Sequence, residues 1–96
     1  MHNFNMKVSV VSVGTGSTQL VAPNDNRRFL ALENLGAVAV SITTSGTAVA
    51  ATGCLLAPFG TQGMAMRFDE AVPINAIQAI VNSGTVAMNV AVLEGF

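Results

Sequence analysis

The stretch that decides the fold class lies near the end of the chain and reads Val86-Ala87-Met88-Asn89-Val90-Ala91-Val92. Large apolar side chains occupy every second position, and small or polar residues stand between them. A period of two is typical of a half-buried β-strand, because successive side chains of a strand point to opposite faces of its sheet. This stretch therefore predicts a closing strand with one face turned to a core.

The same alternation recurs upstream, in Met6–Val13, in Arg28–Asn34 and in Val38–Ile42. Turn residues separate the runs at intervals of about ten residues, a spacing typical of sandwiches and barrels. Because the turn Leu35-Gly36-Ala37 joins the last two runs, we expect these two strands to pair. The sequence predicts an all-β domain, either a small antiparallel β-sandwich or a jelly-roll-like barrel of about 7–9 short strands.

The length of 96 residues leaves room for one domain and no second one. We divide it into an N-terminal arm with the first strand, residues 1–18, and a sandwich core, residues 19–96. The segment Met1–Asn5 is expected to be loose or to reach a neighbouring subunit. Thr47–Ala51 is rich in alanine, but it is too short for a stable helix, so we expect a strand or an irregular connection.

The composition is poor in charge, with 9% charged residues against about 25% in a typical soluble domain. Either neighbouring molecules cover much of the surface, or hydroxyl and amide groups hydrate it. We favour neighbours, because depletion of charge marks the cores of protein–protein interfaces. The net charge is −1, and the bases are only Lys7, Arg27, Arg28 and Arg67, which excludes a basic stripe for nucleic acid.

The sequence also argues against membranes, export and disulfides. The uncharged region from Leu35 to Met66 is interrupted by glycine, serine and threonine, so we expect no membrane span. Met1–Lys7 does not resemble a signal peptide. Cys54 is the single cysteine, which fits a small buried side chain in a reducing compartment.

Residues that could carry catalysis are few and poorly placed. His2 is the only histidine, and we expect the N-terminal segment that holds it to be too loose to orient it for a triad or a metal. Asp69 and Glu70 are adjacent, so on a strand they would point to opposite faces. Gly14–Thr18 lacks the lysine and the helix of a phosphate loop. We expect no enzyme activity, no cofactor and no metal.

Arginines and loop residues are the candidate contacts. Arg27 and Arg28, with Glu33 nearby, could form a surface ion pair worth about 0–1 kcal/mol or dock on a neighbouring subunit. Asn34 falls on an inward face, so we expect it to brace the turn at Gly36. The residues predicted to lie at an interface are Arg27, Arg28, Phe59 and Arg67, within or beside the loops 25–28 and 58–66.

Several segments together resemble small structural modules of tailed bacteriophages: Pro23–Gly36, Val38–Ile42, Leu55–Gly60, Val72-Pro73, Ala76–Ile80 and Gly84–Gly95. The resemblance covers about residues 19–96, and Phe59 departs from the small residue usual at its position. It implies a β-sandwich virion protein of the capsid decoration (cement), head-fibre or tail accessory type. It further implies localisation in a virion assembled in the host cytoplasm. The implied partners are copies of itself, as a dimer or trimer, and a major capsid or other virion protein.

Two other functions remain open at this stage. A carbohydrate- or receptor-binding module of a fibre or tail would need aromatic platforms, and the chain has no Trp or Tyr. We expect its phenylalanines to be core or interface residues instead: Phe4, Phe29, Phe59, Phe68 and Phe96. A cupin-like enzyme would need several histidines or carboxylates around a metal, and one histidine is present.

Overall fold

Short alternating runs form the strands, and turns rich in glycine, proline and asparagine join them. The computed structural model describes residues 5–44, 46–51, 53–68, 70, 72–84 and 86–96. Strands and turns, without a helix, make up this described part. In chain order the strands are β1 Met6–Val13, β2 Thr18–Val21, β3 Phe29–Asn34, β4 Val40–Thr43, β5 Cys54–Leu56, β6 Ala65–Phe68, β7 Ile77–Val81 and β8 Met88–Gly95.

The strands form two antiparallel four-stranded sheets, the first in the order β1-β8-β3-β6 and the second in the order β2-β7-β4-β5. Every connection except the one from β4 to β5 passes from one sheet to the other. This arrangement is a sandwich with the strand order of a jelly roll. The predicted all-β sandwich class is confirmed.

The core lies between the sheets and is built from alternate residues of facing strands. Leu30 and Leu32 of β3 and Val90 and Val92 of β8 are at most 1% exposed. Burial of each such side chain contributes about 1.5–3 kcal/mol to the free energy of folding. The second sheet supplies Leu20, Val21, Val40, Ile42, Leu56, Ile77, Ala79 and Val81.

The predicted pairing of the strands on either side of Leu35-Gly36-Ala37 is wrong. β3 pairs with β8 and β6, whereas β4 pairs with β5 and β7 in the other sheet. The turn is therefore an arch from one sheet to the other. Asn34 braces it, as predicted: Oδ1 accepts from the Gly36 N–H at 2.9 Å, and Nδ2 donates to the carbonyl oxygens of Val38 and Leu56 at 2.9 and 3.3 Å.

The first strand is an edge strand of the first sheet. β1 pairs with β8 from Met6 to Val13, and the Asn5 backbone exchanges two hydrogen bonds with Phe96. Residues 1–4, for which a loose or partner-reaching segment was predicted, lie outside the described residues. The described part of 47–51 is irregular.

Candidate interaction surface

Arg27 joins β8 of the first sheet to the loops that follow β2 and precede β7, from the inside of the domain. Its side chain is buried, and Nε donates to Glu94 Oε2 of β8 at 2.7 Å. Nη1 donates to the carbonyl oxygens of Pro73 and Asn75 at 2.7 and 3.1 Å, and Nη2 donates to that of Ala22. Four of the five guanidinium N–H groups are bonded inside the domain, and the side chain is 0% exposed. Arg27, which was predicted to lie at an interface, is therefore placed inside its own domain.

The other three predicted contacts lie on the surface but not together. Arg28 is exposed just before β3, and its backbone N–H donates to the Gly95 carbonyl oxygen at 2.8 Å. Phe59 is 55% exposed in the turn after β5. Arg67 is exposed on β6 and points away from the core, opposite Ala31 of β3. The structure thus brings none of these three side chains into a common site.

An apolar surface lies on the side of the first sheet that faces away from the core, here called the outer face. The strand register arranges its centre in two rows across all four strands. The first row is Val8, Leu93, Ala31 and Arg67, and the second row is Val10, Ala91, Glu33 and Ala65. Six of these eight side chains are apolar.

The outer face is open to solvent. Val8 is 73% and Val10 is 58% exposed, and Met6 beside them on β1 is 45% exposed. The small side chains of Ala31, Ala65 and Ala91 leave a shallow groove of about 410 Å³ between Val8 and Arg67. An apolar surface of this kind is a mark of an interaction site, since isolated exposed apolar residues are common but contiguous patches are not.

Charge on the outer face is limited to one acid and one base. Glu33 is half-buried and Arg67 is exposed, and they lie on neighbouring strands in adjacent rows. Neither forms an ion pair with another of the described residues. The face therefore holds two opposite charges whose partners the described part of this chain does not supply.

The second sheet presents a different outer side. Its outward positions include the polar residues Gln19, Ser41, Thr43 and Gln78 and the apolar residues Leu55 and Ile80. Leu55 is 52% exposed, and part of the loop after β4 covers the sheet near Ser41. The Ala51 N–H donates to Ser41 Oγ at 3.1 Å, and the Ala48 N–H donates to Ser17 Oγ at 3.0 Å. Ser41 is consequently 1% exposed although it points away from the core.

Side chains that could act in catalysis or bind a metal do not form a cluster in the described part of the chain. No group of three or more His, Cys, Asp or Glu residues there could hold a metal ion. Cys54 is exposed rather than buried as predicted. His2 and Asp69 lie outside the described residues. The described residues also include no helix of a length and hydropathy suited to crossing a membrane.

Sequence analysis missed the outer face, although a signal for it exists. In β1, Val8 and Val10 alternate with Val11 and Val13 across the strand, so both faces of one strand carry valine. A strand that is apolar on both faces is either buried in the domain or covered by another molecule. The exposures of Val8 and Val10 show that this domain does not cover them.

Comparison with protein-family models, with curated proteins and with solved structures finds no match for this chain.

Proposed function

We propose that the chain is a non-enzymatic structural protein of a tailed-phage particle, most specifically a capsid decoration protein. The observation that carries this proposal is the bare apolar outer face of the first sheet, with Val8 and Val10 exposed to 73% and 58%. Burying such surface contributes about 25 cal/mol for each Å² removed from water. A subunit with this face gains stability from being covered.

The charge content supports an assembled surface. Charged residues are 9% of the chain, and interface cores are depleted in charge. A decoration protein acts mechanically: by binding the assembled shell and not its dissociated subunits, it stabilises the shell by mass action. Such work requires surface complementarity and no reacting group.

The fold is compatible with the proposal without selecting it. Jelly rolls serve in viral capsids, in lectins and in cupins, so function has to be argued from the site. A metal-dependent cupin activity has little support, because the described residues hold no cluster of metal ligands. A lectin-like site has little support either, because Phe59 is the one strongly exposed phenylalanine among the described residues. Arg28 and Phe59 remain predicted contacts of the assembled protein.

Quantitative mass spectrometry of phage particles tests this function. Particles released by the strain that encodes the chain are purified on a density gradient, and the chain is quantified against the major capsid protein. We expect a fixed ratio of the two, with immunogold label on the heads. Absence of the chain from purified particles contradicts the proposal, and label confined to tails contradicts a capsid position.

A pair of matched variants tests whether incorporation into the particle needs the outer face. Val8→Asp places a charge on the outer face of the first sheet, and Gln19→Asp places one on the second sheet. We expect Val8→Asp to abolish incorporation and Gln19→Asp to preserve it. Equal incorporation of both variants would show that the outer face plays no part in assembly.

A further inference from the structure

The two rows of the outer face are complementary to each other in size. Leu93 in the first row shares β8 with Ala91 in the second, Arg67 shares β6 with Ala65, and Glu33 of the second row shares β3 with Ala31. On three of the four strands, therefore, a large side chain in one row stands beside an alanine in the other. On β1 both rows carry valine.

A pattern of this kind matches itself after a two-fold rotation. The two-fold axis lies between the two packed faces, runs perpendicular to the strands and passes between the two rows. Rotation about it places the first row of one copy over the second row of the other. Leu93 then faces the partner's alanine on β8, and each contact occurs twice, as a two-fold interface requires. Sheets that pack face to face keep their strands within about 30° of alignment and lie about 10 Å apart.

The same rotation brings the two unpaired charges together. Arg67 of one copy comes to lie over Ala65 of the other, and Glu33 is the next residue along that row, one strand away. Neighbouring strands are about 4.8 Å apart, which is well within the reach of an arginine side chain. Each Arg67 can thus meet the Glu33 carboxylate of the opposite copy, and the dimer contains this pair twice.

From this size and charge complementarity we infer that the outer face binds the outer face of a second copy, in a two-fold dimer joined by reciprocal Arg67–Glu33 ion pairs. The inference deepens the proposed function by naming the occupant of the assembly surface. In this dimer the contact between the two copies is the outer face, and not the loops 25–28 and 58–66.

The size of the face sets the affinity to be expected. Four strands about 4.8 Å apart, with β1 and β8 eight residues long at about 3.3 Å each, give a face of at most about 19 × 26 Å, because β3 and β6 have six and four residues. Such a face lies at the small end of specific interfaces, so we expect a dissociation constant on the order of micromolar.

Analytical ultracentrifugation of the purified chain tests the dimer itself. Sedimentation from about 1 to about 200 µM, a range that spans micromolar affinity, is expected to show a monomer–dimer equilibrium. A monomer throughout, or a trimer, overturns the inference. Gln19→Arg, on the second sheet, is the control and is expected to leave the equilibrium unchanged.

Charge exchange tests the geometry. Glu33→Arg gives a face with two cations, and Arg67→Glu gives a face with two acids, so each variant alone is expected to dimerise at least about tenfold more weakly. Mixed in equal amounts, the two variants are expected to form a heterodimer, because every reciprocal pair is then attractive. The double variant Glu33→Arg/Arg67→Glu is expected to regain the homodimer.

Circular dichroism melting verifies that each variant is folded, which is expected for substitutions that point away from the core. A dimer that is insensitive to both single exchanges, or single variants that show no mutual preference, overturns the inference. Failure here is distinguishable from failure of the proposed function. A chain that is monomeric yet present on particles retains the function, whereas a dimer that is absent from particles retains the inference alone.

Discussion

The two sheets share a core but differ on their outer sides. The second sheet carries glutamine, serine and threonine outward together with Ile80 and Leu55, and residues of the loop after β4 bond to Ser41 and Ser17 over it. The first sheet carries valine, leucine and alanine outward, and Val8 and Val10 stay open to solvent. The described part of the chain therefore covers some of the outer side of its second sheet and leaves the centre of the first sheet's outer side uncovered. The exposure of Val8 and Val10 is informative because, elsewhere in the same domain, a loop covers a strand residue that points outward.

The largest effect is expected where Arg27 joins β8 to the loops beside β2 and β7. Arg27→Ala leaves Glu94 buried without its ion-pair partner, since both side chains lie inside the domain. We expect a loss of about 3–5 kcal/mol in the free energy of unfolding, measured by urea denaturation. The double variant Arg27→Met/Glu94→Leu is expected to recover much of this loss. A change below about 1 kcal/mol for Arg27→Ala would show that the link is not needed; Arg28→Ala, on the surface, is the control.

A smaller effect is expected at the arch between the sheets. A Cβ on Gly36 would lie 2.2 Å from Met88 Sδ and 2.9 Å from Met88 Cβ. Gly36→Ala should therefore shift the arch or the start of β8 and cost about 1–3 kcal/mol of stability. Thermal denaturation measures it, with Gly14→Ala as the control because nothing lies within 4 Å of a Cβ there. Equal melting temperatures of the two variants would contradict the close packing at Gly36.

The hydrogen bonds that hold the loop after β4 over the second sheet can be weakened without changing the first sheet. Ser41→Ala removes the hydroxyl that accepts from the Ala51 N–H and donates to Asn82 Oδ1. Asn82 Oδ1 still accepts from Ala51 at 3.0 Å, so we expect a loss of only about 1 kcal/mol. Hydrogen exchange should accelerate at Ala51 and not in β1. Ser12→Ala, exposed on β1, is the control, and unchanged exchange at Ala51 would contradict a covering role for the loop.

The smallest effect on folding is expected on the outer face. Val8→Thr with Val10→Thr keeps the β-branched shape and changes positions that are already exposed. We expect stability within about 0.5 kcal/mol of the wild type, measured at low concentration where the chain is monomeric. Val90→Thr, which buries a hydroxyl in the core, should cost about 1–3 kcal/mol. A comparable loss in both variants would mean that the outer face contributes to the fold itself.

Alternation predicted the strands well because it is a local property. The runs at Arg28–Asn34 and Val86–Val92 became β3 and β8, with Leu30, Leu32, Met88, Val90 and Val92 buried. The role of Asn34 was also predictable, because a polar residue on an inward face must find hydrogen bonds nearby.

Long-range partners were not predictable in the same way. Arg27 bonds to Glu94, 67 residues away, and no local pattern distinguishes that acid from the nearer Glu33. A short turn after β3 favours a hairpin, yet the chain changes sheets there because Asn34 bonds to the carbonyl oxygens of Val38 and Leu56. The outer face escaped notice because alternation tells which residues share a face and not which face is covered.

The strand order has a consequence for how the domain forms. β8, the last strand of the chain, lies between β1 and β3 in the middle of the first sheet. Until residues 88–95 are available, β1 has no neighbour in its sheet and β3 has only β6. The first sheet must therefore form late, and after it has closed around β8 its apolar outer face is complete. Folding through such distant pairings is slow, so the dimerisation inferred for this face awaits a finished subunit, which keeps incomplete chains out of the assembly proposed above.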